Sequence, residues 1–407
     1  MRFFSLISAS VAICDSSASF DAKDIYRGLY SSSGIDLTTH EMHRHLERFS
    51  RDFQTIGNSK NLETIFRMSL PAIRSSVVDE VKRTAGVLWT ASADVERWST
   101  ASLGDAARQC GSILNSPRKA TMRVVTHDDL EADIPKEFDS RKDFGPECSA
   151  LIGTARDQSN CGSCWSFSTT TALEDRVCLG SKGTARISLS PLDTLSCCNQ
   201  EAGCFSFGCN GGDPASAWEW FVHEGVVTGA DFGDESTCKP YSFPQCAHHV
   251  DVPDLAPCSG GAEFETPECV HRCTNGKYAA SYAKDKHRAV DAYAVSGDEK
   301  SIKLEILKNG PVSAAFQVYE DFMAYKSGIY HHVTGAALGG HAVKLIGWGE
   351  VEGTKYWLLL NSWNPSWGEK GAFRMRMKDC GINDEITAGT VRDKQVVDDR
   401  SITIEEI

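Results

Sequence analysis

No stretch of this chain after the N-terminus approaches the roughly 20 consecutive apolar residues that a membrane helix needs. No Asn-x-Ser/Thr sequon occurs either: Asn364 is followed by proline and Asn361 lacks the hydroxyl two residues on, so sorting cannot rely on N-glycans. Basic surplus is also missing. The 42 Lys and Arg against 55 Asp and Glu leave a formal charge of −13, with no long basic patch, which argues against nucleic-acid binding. What the chain does have is cysteine. Sixteen are present, most of them crowded between Cys148 and Cys273, a usage incompatible with a reducing cytosol unless they bind metal.

The N-terminus answers the question of compartment. Met1 and Arg2 precede a mainly apolar stretch from Phe3 to Ile13 and then small residues at Ser16 to Ser19, the pattern of a signal peptide cut near Ala18 or Ser19. Residues 1–19 are therefore expected to direct the chain into the secretory pathway, toward a lysosome-like acidic compartment or the exterior. From about Asp21 to Glu131 the sequence is polar and nearly free of cysteine. It is patterned as helix, with Leu88, Val95, Trp98 and Leu103 as its apolar positions. Composition shifts near Asp133, where the cysteines, most glycines and seven of the nine tryptophans begin. The expected division is 20–133 as an extension and separable pro-segment, 134–391 as the main domain, and 392–407 as an acidic tail.

Within 134–391, the run WSFSTTTALEDRVCLG after Cys164 has helical length, with Leu173 and Val177 at i, i+4 and Gly180 as a stop, so Cys164 sits at a helix N-terminus. Cys197 to Gly212 and Cys238 to Cys273 read as cross-linked loops. The last third alternates like strands: His341 to Gly349, Lys355 to Trp363, then Phe373, Met375 and Met377. A cysteine-rich helical half followed by a β half predicts an α+β fold of two subdomains with a cleft between them.

A thiol attacks an amide only as thiolate, and a free cysteine with pKa about 8.5 is mostly protonated in an acidic compartment. A helix N-terminus and an imidazolium together can bring it to roughly 3 to 4. Cys164 has the first, and His341 is the candidate for the second. Gly339 and Gly340 beside His341 leave room for a substrate backbone, Asn361 can hold the other ring nitrogen, and Gln158 can aim an amide N–H at a developing oxyanion. Cys161-Gly-Ser-Cys164 taken alone also fits a redox CxxC or half a zinc site. The first wants a βαβ setting and the second another pair at similar spacing, whereas Cys197 and Cys198 are adjacent.

Four segments, QSNCGSCWSFS (158–168), GCNGG (208–212), GGHAVKLIGWG (339–349) and NSWNPSWG (361–368), together resemble the signatures of papain-like cysteine proteases over Ile134 to about Val391, most closely the cathepsin B branch. The resemblance implies a left helical and a right antiparallel β-barrel subdomain, with Cys164 on one and His341 on the other. By motif, Gln158 forms the oxyanion hole, Asn361 orients His341, Trp363 shields that pair, and Gly211 with Gly212 pairs with substrate backbone. Pro214, Ala315 and Ala342 line the pocket for the side chain two residues before the cut, with Glu385 at its base. Asp213 stands where an aromatic is usual and adds a second acid, so basic or apolar side chains are expected there.

The branch assignment rests on QCAHHVDVPDLAPC, which resembles the occluding loop whose two histidines, here His248 and His249, bind a substrate's C-terminal carboxylate and make the enzyme a peptidyl dipeptidase. Asp157 is retained as partner for His248. The loop has no arginine, however, and Ser366 stands where the second aspartate would be, which predicts a looser loop and more endopeptidase activity. By motif position the implied bridges are Cys148 with Cys178, Cys161 with Cys209, Cys197 with Cys269, Cys198 with Cys204, Cys238 with Cys273 and Cys246 with Cys258. That leaves Cys164, Cys14, Cys110 and a buried thiol at Cys380. Each bridge is worth roughly 2 to 5 kcal/mol, so folding in a reducing medium is not expected. LWTAS (88–92) and QCGSIL (109–114) resemble the cathepsin B propeptide, which lies backward through the cleft as an inhibitor. Residues from about Asp21 to Arg74 exceed that pattern. Expected partners are protein and peptide substrates, the chain's own propeptide and cystatin-like inhibitors, acting on a monomer; no cofactor and no metal are implied. A rival reading is a catalytically silent homologue that binds peptides, although the candidate catalytic residues are all present.

Overall fold

The computed structural model describes residues 22–56, 62–98, 100–128, 133–245 and 264–391. The signal segment 1–19, the loop Cys246–Cys258 with His248 and His249, and the tail 392–407 lie outside the described residues. The chain divides into two compact units, one ending at Ser69 and the other beginning at Leu70.

The first unit is built from helices Ala22–Ser33, Thr39–Ile56 and Leu62–Met68. Thr38 and Glu41 form a reciprocal cap at the start of the second, with Thr38 N donating to Glu41 Oε2 at 2.8 Å and Glu41 N donating to Thr38 Oγ1 at 3.3 Å. Tyr26, Phe49, Ile65 and Phe66 form its core. His45 is buried within it, meeting the Tyr26 hydroxyl at 3.1 Å and the Phe66 carbonyl at 2.7 Å.

The second unit has the α+β organisation. Its axis is helix Cys164–Gly180, buried almost all round, which explains why its apolar periodicity is weak in the sequence. Helices Pro191–Cys197 and Pro214–His223 pack beside it and carry the cysteine-rich loops. Five disulfides staple the region: Cys148–Cys178, Cys161–Cys209, Cys197–Cys269, Cys198–Cys204 and Cys238–Cys273. The β half is a largely antiparallel sheet around strands Val312–Tyr319, Ala337–Val351 and Thr354–Leu360, closed over a core that includes Phe316, Val343, Trp357 and Phe373.

Two local expectations change. Residues 88–103 are not one helix: Trp89–Ala91 is a strand that pairs with Tyr325–Tyr330, and a helix begins only at Leu103. The strand pairing buries Trp89 and Ala91, which overrides the local helical pattern. His341 is also not at a strand start. Its strand begins at Ala337 because Gly339 and Gly340 pair with Val318 and Gln317.

Helix and sheet meet across a buried polar seam. Arg176 donates to the carbonyls of Pro311, Gly389 and Gly310 and to Glu305 Oε1, at 2.7, 2.9, 3.0 and 2.9 Å. Lys344, on the strand of His341, pairs with Asp175, on the helix of Cys164, at 2.6 Å. Burial, opposed by Arg156 and Lys344, pushes the neighbouring Glu174 up to about 7, and Asp175 rises to about 6 by burial against the same lysine. Burial also raises Glu305, but Arg176 and hydrogen bonds from His127 and Tyr293 outweigh it and bring it down to about 2.

The two signs differ. For Glu174 and Asp175 the native state keeps protons that the unfolded chain gives up, so their stabilisation is full below about pH 4 and is lost as pH rises through 6 to 7. The contribution of Glu305 is present above about pH 4.5 and is lost as pH falls toward 2. Thermal melts of the full chain are therefore expected to fall from pH 4.5 to 7.5. Glu174→Gln should flatten that slope by roughly 1 to 3 kcal/mol across the window, and parallel curves for parent and variant would contradict the assignment.

Candidate active site

Cys164 is the first residue of its helix and is wholly buried. The backbone N–H groups of Ala342, Gly111, Trp165 and Cys164 face its sulfur. His341 lies opposite Phe316 in the sheet, and its Nε2 is 2.8 Å from Asn361 Oδ1. That carboxamide oxygen also accepts from Ser362 N at 2.8 Å, so it is an acceptor and the imidazole donates to it. The tautomer so fixed leaves Nδ1 with a free lone pair, and Nδ1 has no hydrogen-bond partner among the described residues. Trp363 covers the ring at 4.6 Å between centroids and is covered in turn by the edge of Trp98 at 5.0 Å. Gln158 is fixed at both ends: Oε1 accepts from Ser362 Oγ at 2.7 Å, while Nε2 donates to the carbonyls of Cys161 and Gln109 at 2.8 and 3.0 Å.

The Gln109 contact reveals what fills the cleft. Residues 109–119 of the chain lie through it. Ser112 N donates to the Gly340 carbonyl at 2.9 Å, Ile113 N to the Gly212 carbonyl at 3.0 Å, and Gly212 N to the Gly111 carbonyl at 2.8 Å; the pairing with Gly212 is parallel. The approach needs glycine on both sides, since a Cβ on Gly340 would stand 2.2 Å from the Ser112 oxygen and one on Gly111 1.9 Å from the Gly162 oxygen. Gly211, at φ +108°, turns the same wall. Leu114 packs against Cys164, Ala315 and Ala342. Glu385 accepts from Asn115 N at 2.9 Å and pairs with Lys119 at 3.4 Å.

Pro214 opens the helix below, and Asp213 is its N-cap, 1% exposed, with its oxygens accepting from Ala215 N, Ser216 N and Ser216 Oγ. Asp213 is thus turned toward its own helix, whereas Glu385 faces the propeptide. The partner expected for Asp157, His248, lies outside the described residues. Asp157 Oδ1 pairs with Arg97 at 3.3 Å and accepts from Ser159 N at 2.8 Å, while Ser366 N donates to Asn364 Oδ1 at 2.8 Å.

Arg97 carried no sequence signal, being one arginine in a polar segment. It is 4% exposed, binds Gln109 Oε1 at 2.6 Å and the Ser159 carbonyl at 3.2 Å besides Asp157, and lies over the Trp98 and Trp363 rings. Free thiols among the described residues are Cys110, Cys164 and Cys380, the last half-buried rather than buried. Cys197, Cys269 and His271 cluster closely enough for a metal, but the Cys197–Cys269 disulfide leaves no thiolate to ligate one.

Burial pushes the Cys164 thiol up to about 11, the surrounding N–H groups only partly opposing it, and brings His341 down to about 4 despite the bond to Asn361. Both shifts run against the thiolate and imidazolium that nucleophilic attack requires, so the filled cleft disfavours the charged pair.

The chain belongs to the papain family of cysteine proteases, whose profile, "Papain family cysteine protease", matches residues 134–390. It is 47% identical over 271 residues, 66% of this chain and 77% of the relative, to a cathepsin B-like cysteine proteinase of Schistosoma japonicum. It is 44% identical over 276 residues, 67% of this chain and 80% of the relative, to cathepsin B-like cysteine proteinase 4 of Caenorhabditis elegans. The solved procathepsin B S9 from Trypanosoma congolense superposes with a TM-score of 0.67 at 32% identity, covering 79% of this chain and 99% of that one. Procathepsin L 3 of Tenebrio molitor shares the fold at 19% identity and a TM-score of 0.54 over 91% of this chain and 99% of that one. The latter coverage exceeds the share held by residues 70–407, so the likeness reaches into the helical first unit. The chain is a cathepsin B-like cysteine peptidase in zymogen form, inhibited by its own propeptide. No helix among the described residues is long and apolar enough to cross a membrane.

Two outcomes follow for the zymogen. Burial raises the Cys164 thiol and so lowers its thiolate fraction. Iodoacetamide should therefore label Cys164 in the intact chain at least about 100-fold more slowly than in the processed enzyme, and equal rates would refute the silencing by burial. Arg97→Ala leaves a buried carboxylate at Asp157, a loss of about 3–5 kcal/mol when one partner of such a pair is removed. It should speed conversion of the zymogen at pH 5 several-fold, and an unchanged conversion rate would show that the clamp does not hold the cleft closed.

Proposed function

We propose that, once residues 20–133 are removed, the enzyme hydrolyses peptide bonds through a thioacyl-enzyme on Cys164. Opening the cleft rehydrates both groups, the Cys164 proton passes to His341, and the thiolate attacks the scissile carbonyl. Gln158 Nε2 and the Cys164 N–H donate hydrogen bonds to the oxyanion, His341 gives the proton to the leaving amine, and water then releases the acyl group. Asn361 keeps the imidazole in register and Trp363 keeps water from that hydrogen bond. The observation that carries this reading is the 2.8 Å bond from His341 Nε2 to Asn361, beside a thiol at a helix N-terminus.

Gly211 and Gly212 would pair with substrate backbone on one side of the cleft. The pocket of Pro214, Ala315 and Ala342 with Glu385 below would take a basic or apolar side chain two residues before the cut. It is supported by the way the propeptide itself presents Leu114 to the alanines and Lys119 to the acid. His248 and His249 would bind the C-terminal carboxylate of substrates that lose two residues at a time. The absence of a loop arginine and the serine at 366 favour endopeptidase action alongside it. Cystatin-like inhibitors would compete for the same cleft of a monomeric enzyme. The signal segment and the five disulfides support a secretory route to an acidic compartment or the exterior.

Assays of the acid-processed enzyme on internally quenched peptides with free and with amidated C-termini, from pH 4.5 to 7.5, test the two activities together. Cleavage of both peptide types is expected, with dipeptide release strongest at acid pH, and Cys164→Ala should abolish all of it. Release of dipeptides alone at every pH would remove the endopeptidase reading. Glu385→Gln should lower kcat/KM for arginine in the pocket by about 10- to 100-fold, the worth of one charge-assisted pair, while a leucine substrate changes little. Equal losses on both substrates would reject Glu385 as the selector.

A further inference from the structure

The Cys197–Cys269 disulfide carries an ammonium against one sulfur and an imidazole against the other. Cys197 closes the helix Pro191–Cys197 and is buried, while Cys269 is half-buried in a loop outside any helix or strand. Lys239, itself 1% exposed, donates from Nζ to Cys197 Sγ at 3.6 Å. The same ammonium donates to Asp193 Oδ1 at 3.0 Å and to the Val270 carbonyl at 3.1 Å, which anchors it beside the sulfur. On the other side His271 Nε2 lies 3.7 Å from Cys269 Sγ, and its ring stands edge-on to Tyr282 at 5.6 Å. The two sulfurs and an imidazole nitrogen of His271 all fall within 4.8 Å of one another.

These neighbours bear on how the bond breaks. A disulfide opens when a thiolate attacks one sulfur and the other leaves as thiolate, and the better-stabilised thiolate leaves faster. Cys269 is the more accessible partner, and the Cys197 sulfur that it would expel already accepts from the Lys239 ammonium. Attack by a dithiol therefore forms a mixed disulfide on Cys269 and releases Cys197 as thiolate beside that cation. The second thiol of the reductant then attacks its own sulfur in the mixed disulfide, releases Cys269 and departs as a cyclic disulfide. Two electrons pass from the dithiol to the cysteine pair, and its two protons go to the new thiols or to solvent.

What remains is two sulfurs and an imidazole at the spacing of metal ligands. That donor set suits zinc, with bonds of about 2.3 Å to sulfur and about 2.0–2.1 Å to nitrogen, and water as the fourth ligand on the exposed side. Lys239, neutralised by Asp193, would then donate to a thiolate instead of a disulfide sulfur, an outer hydrogen bond of the kind that orients a ligand.

We propose that Cys197, Cys269 and His271 form a redox-gated zinc site, in which reduction by a dithiol exchanges a covalent cross-link for a metal-ion cross-link between the helix Pro191–Cys197 and the loop of Cys269. The site shares no residue with the cleft and does not depend on the peptidase reading.

The test uses the full chain as Cys164→Ser, which keeps the candidate nucleophile from competing for metal. Limiting dithiothreitol without oxygen, followed by differential alkylation and peptide mass spectrometry, should show Cys197–Cys269 opening at least about 10-fold faster than Cys148–Cys178, both of whose cysteines are buried. After the reductant is removed, Co²⁺ should give a thiolate-to-metal charge-transfer band and Zn²⁺ should bind at one equivalent per chain, whereas the oxidised chain should do neither. His271→Ala should weaken Zn²⁺ binding by the reduced chain at least about 10- to 100-fold, the loss that even an outer partner of a metal ligand causes. Zn²⁺ should also raise the melting temperature of the reduced parent but not of the reduced His271→Ala chain. His271 is exposed, so this variant keeps the oxidised fold, and the alkylation and Co²⁺ readings need no variant at position 271. Opening of Cys148–Cys178 first, equal Co²⁺ binding by the oxidised chain, or unchanged Zn²⁺ affinity in His271→Ala would each overturn the site.

Discussion

The thiol and the imidazole arrive on different halves of the fold, so their registration depends on the buried polar seam between the helix of Cys164 and the strand of His341. Lys344 is three residues along the strand from His341, and Asp175 is eleven along the helix from Cys164. Their ion pair therefore ties the two elements that carry the candidate chemistry. Arg176 extends the tie to the carbonyls of Pro311 and Gly389 and to Glu305, and Ser168 meets Ser313 at 2.9 Å. An apolar seam of the same volume would be as stable or more so, but it would tolerate sliding; directional hydrogen bonds fix one register. The raised carboxylates at Glu174 and Asp175 are the cost of that choice, and they make the fold more stable at acidic pH.

Upon this frame the propeptide acts by exclusion rather than by distortion. The catalytic geometry is already assembled: Asn361 holds His341, Ser362 holds Gln158, and Trp363 is in place. What is withheld is water. With residues 109–114 sealed between Gly212 and Gly340, Cys164 and His341 are buried, and burial disfavours both the thiolate and the imidazolium. The oxyanion donor is likewise occupied, by the Gln109 carbonyl. Under the proposed mechanism, inhibition and catalysis would use the same glycines and the same amide, and removal of the strand would need no rebuilding of the site.

How much of this was legible beforehand follows from how local each signal is. Cys164, His341, Asn361 and Gln158 sit in short motifs whose neighbours serve them directly, such as the glycines at 339 and 340, and a sequence displays such signals in full. The α+β division was readable from the change of period between the Cys164 helix and the strands after His341. Residues 88–103 were misread because their conformation is set by a strand 240 residues away, at Tyr325–Tyr330, and local periodicity cannot report such a partner. Arg97 and the seam residues were invisible for the same reason: they matter through partners distant in sequence. Asp213 was visible as an acid, but its direction was decided by the helix it caps, whose N–H groups claim the carboxylate before any substrate could.

That last case bears on how the cleft divides its labour. An acid at the N-terminus of a helix is satisfied by the helix, so the aromatic usually found after GCNGG is lost here without a new charge being gained on the groove wall. Glu385, by contrast, lies across the groove on the β half, where no helix end competes for it, and it is Lys119 of the propeptide that neutralises it. The two acids therefore sit on opposite halves of the fold, one satisfied by a helix end and the other met by the propeptide, and the seam joins those halves.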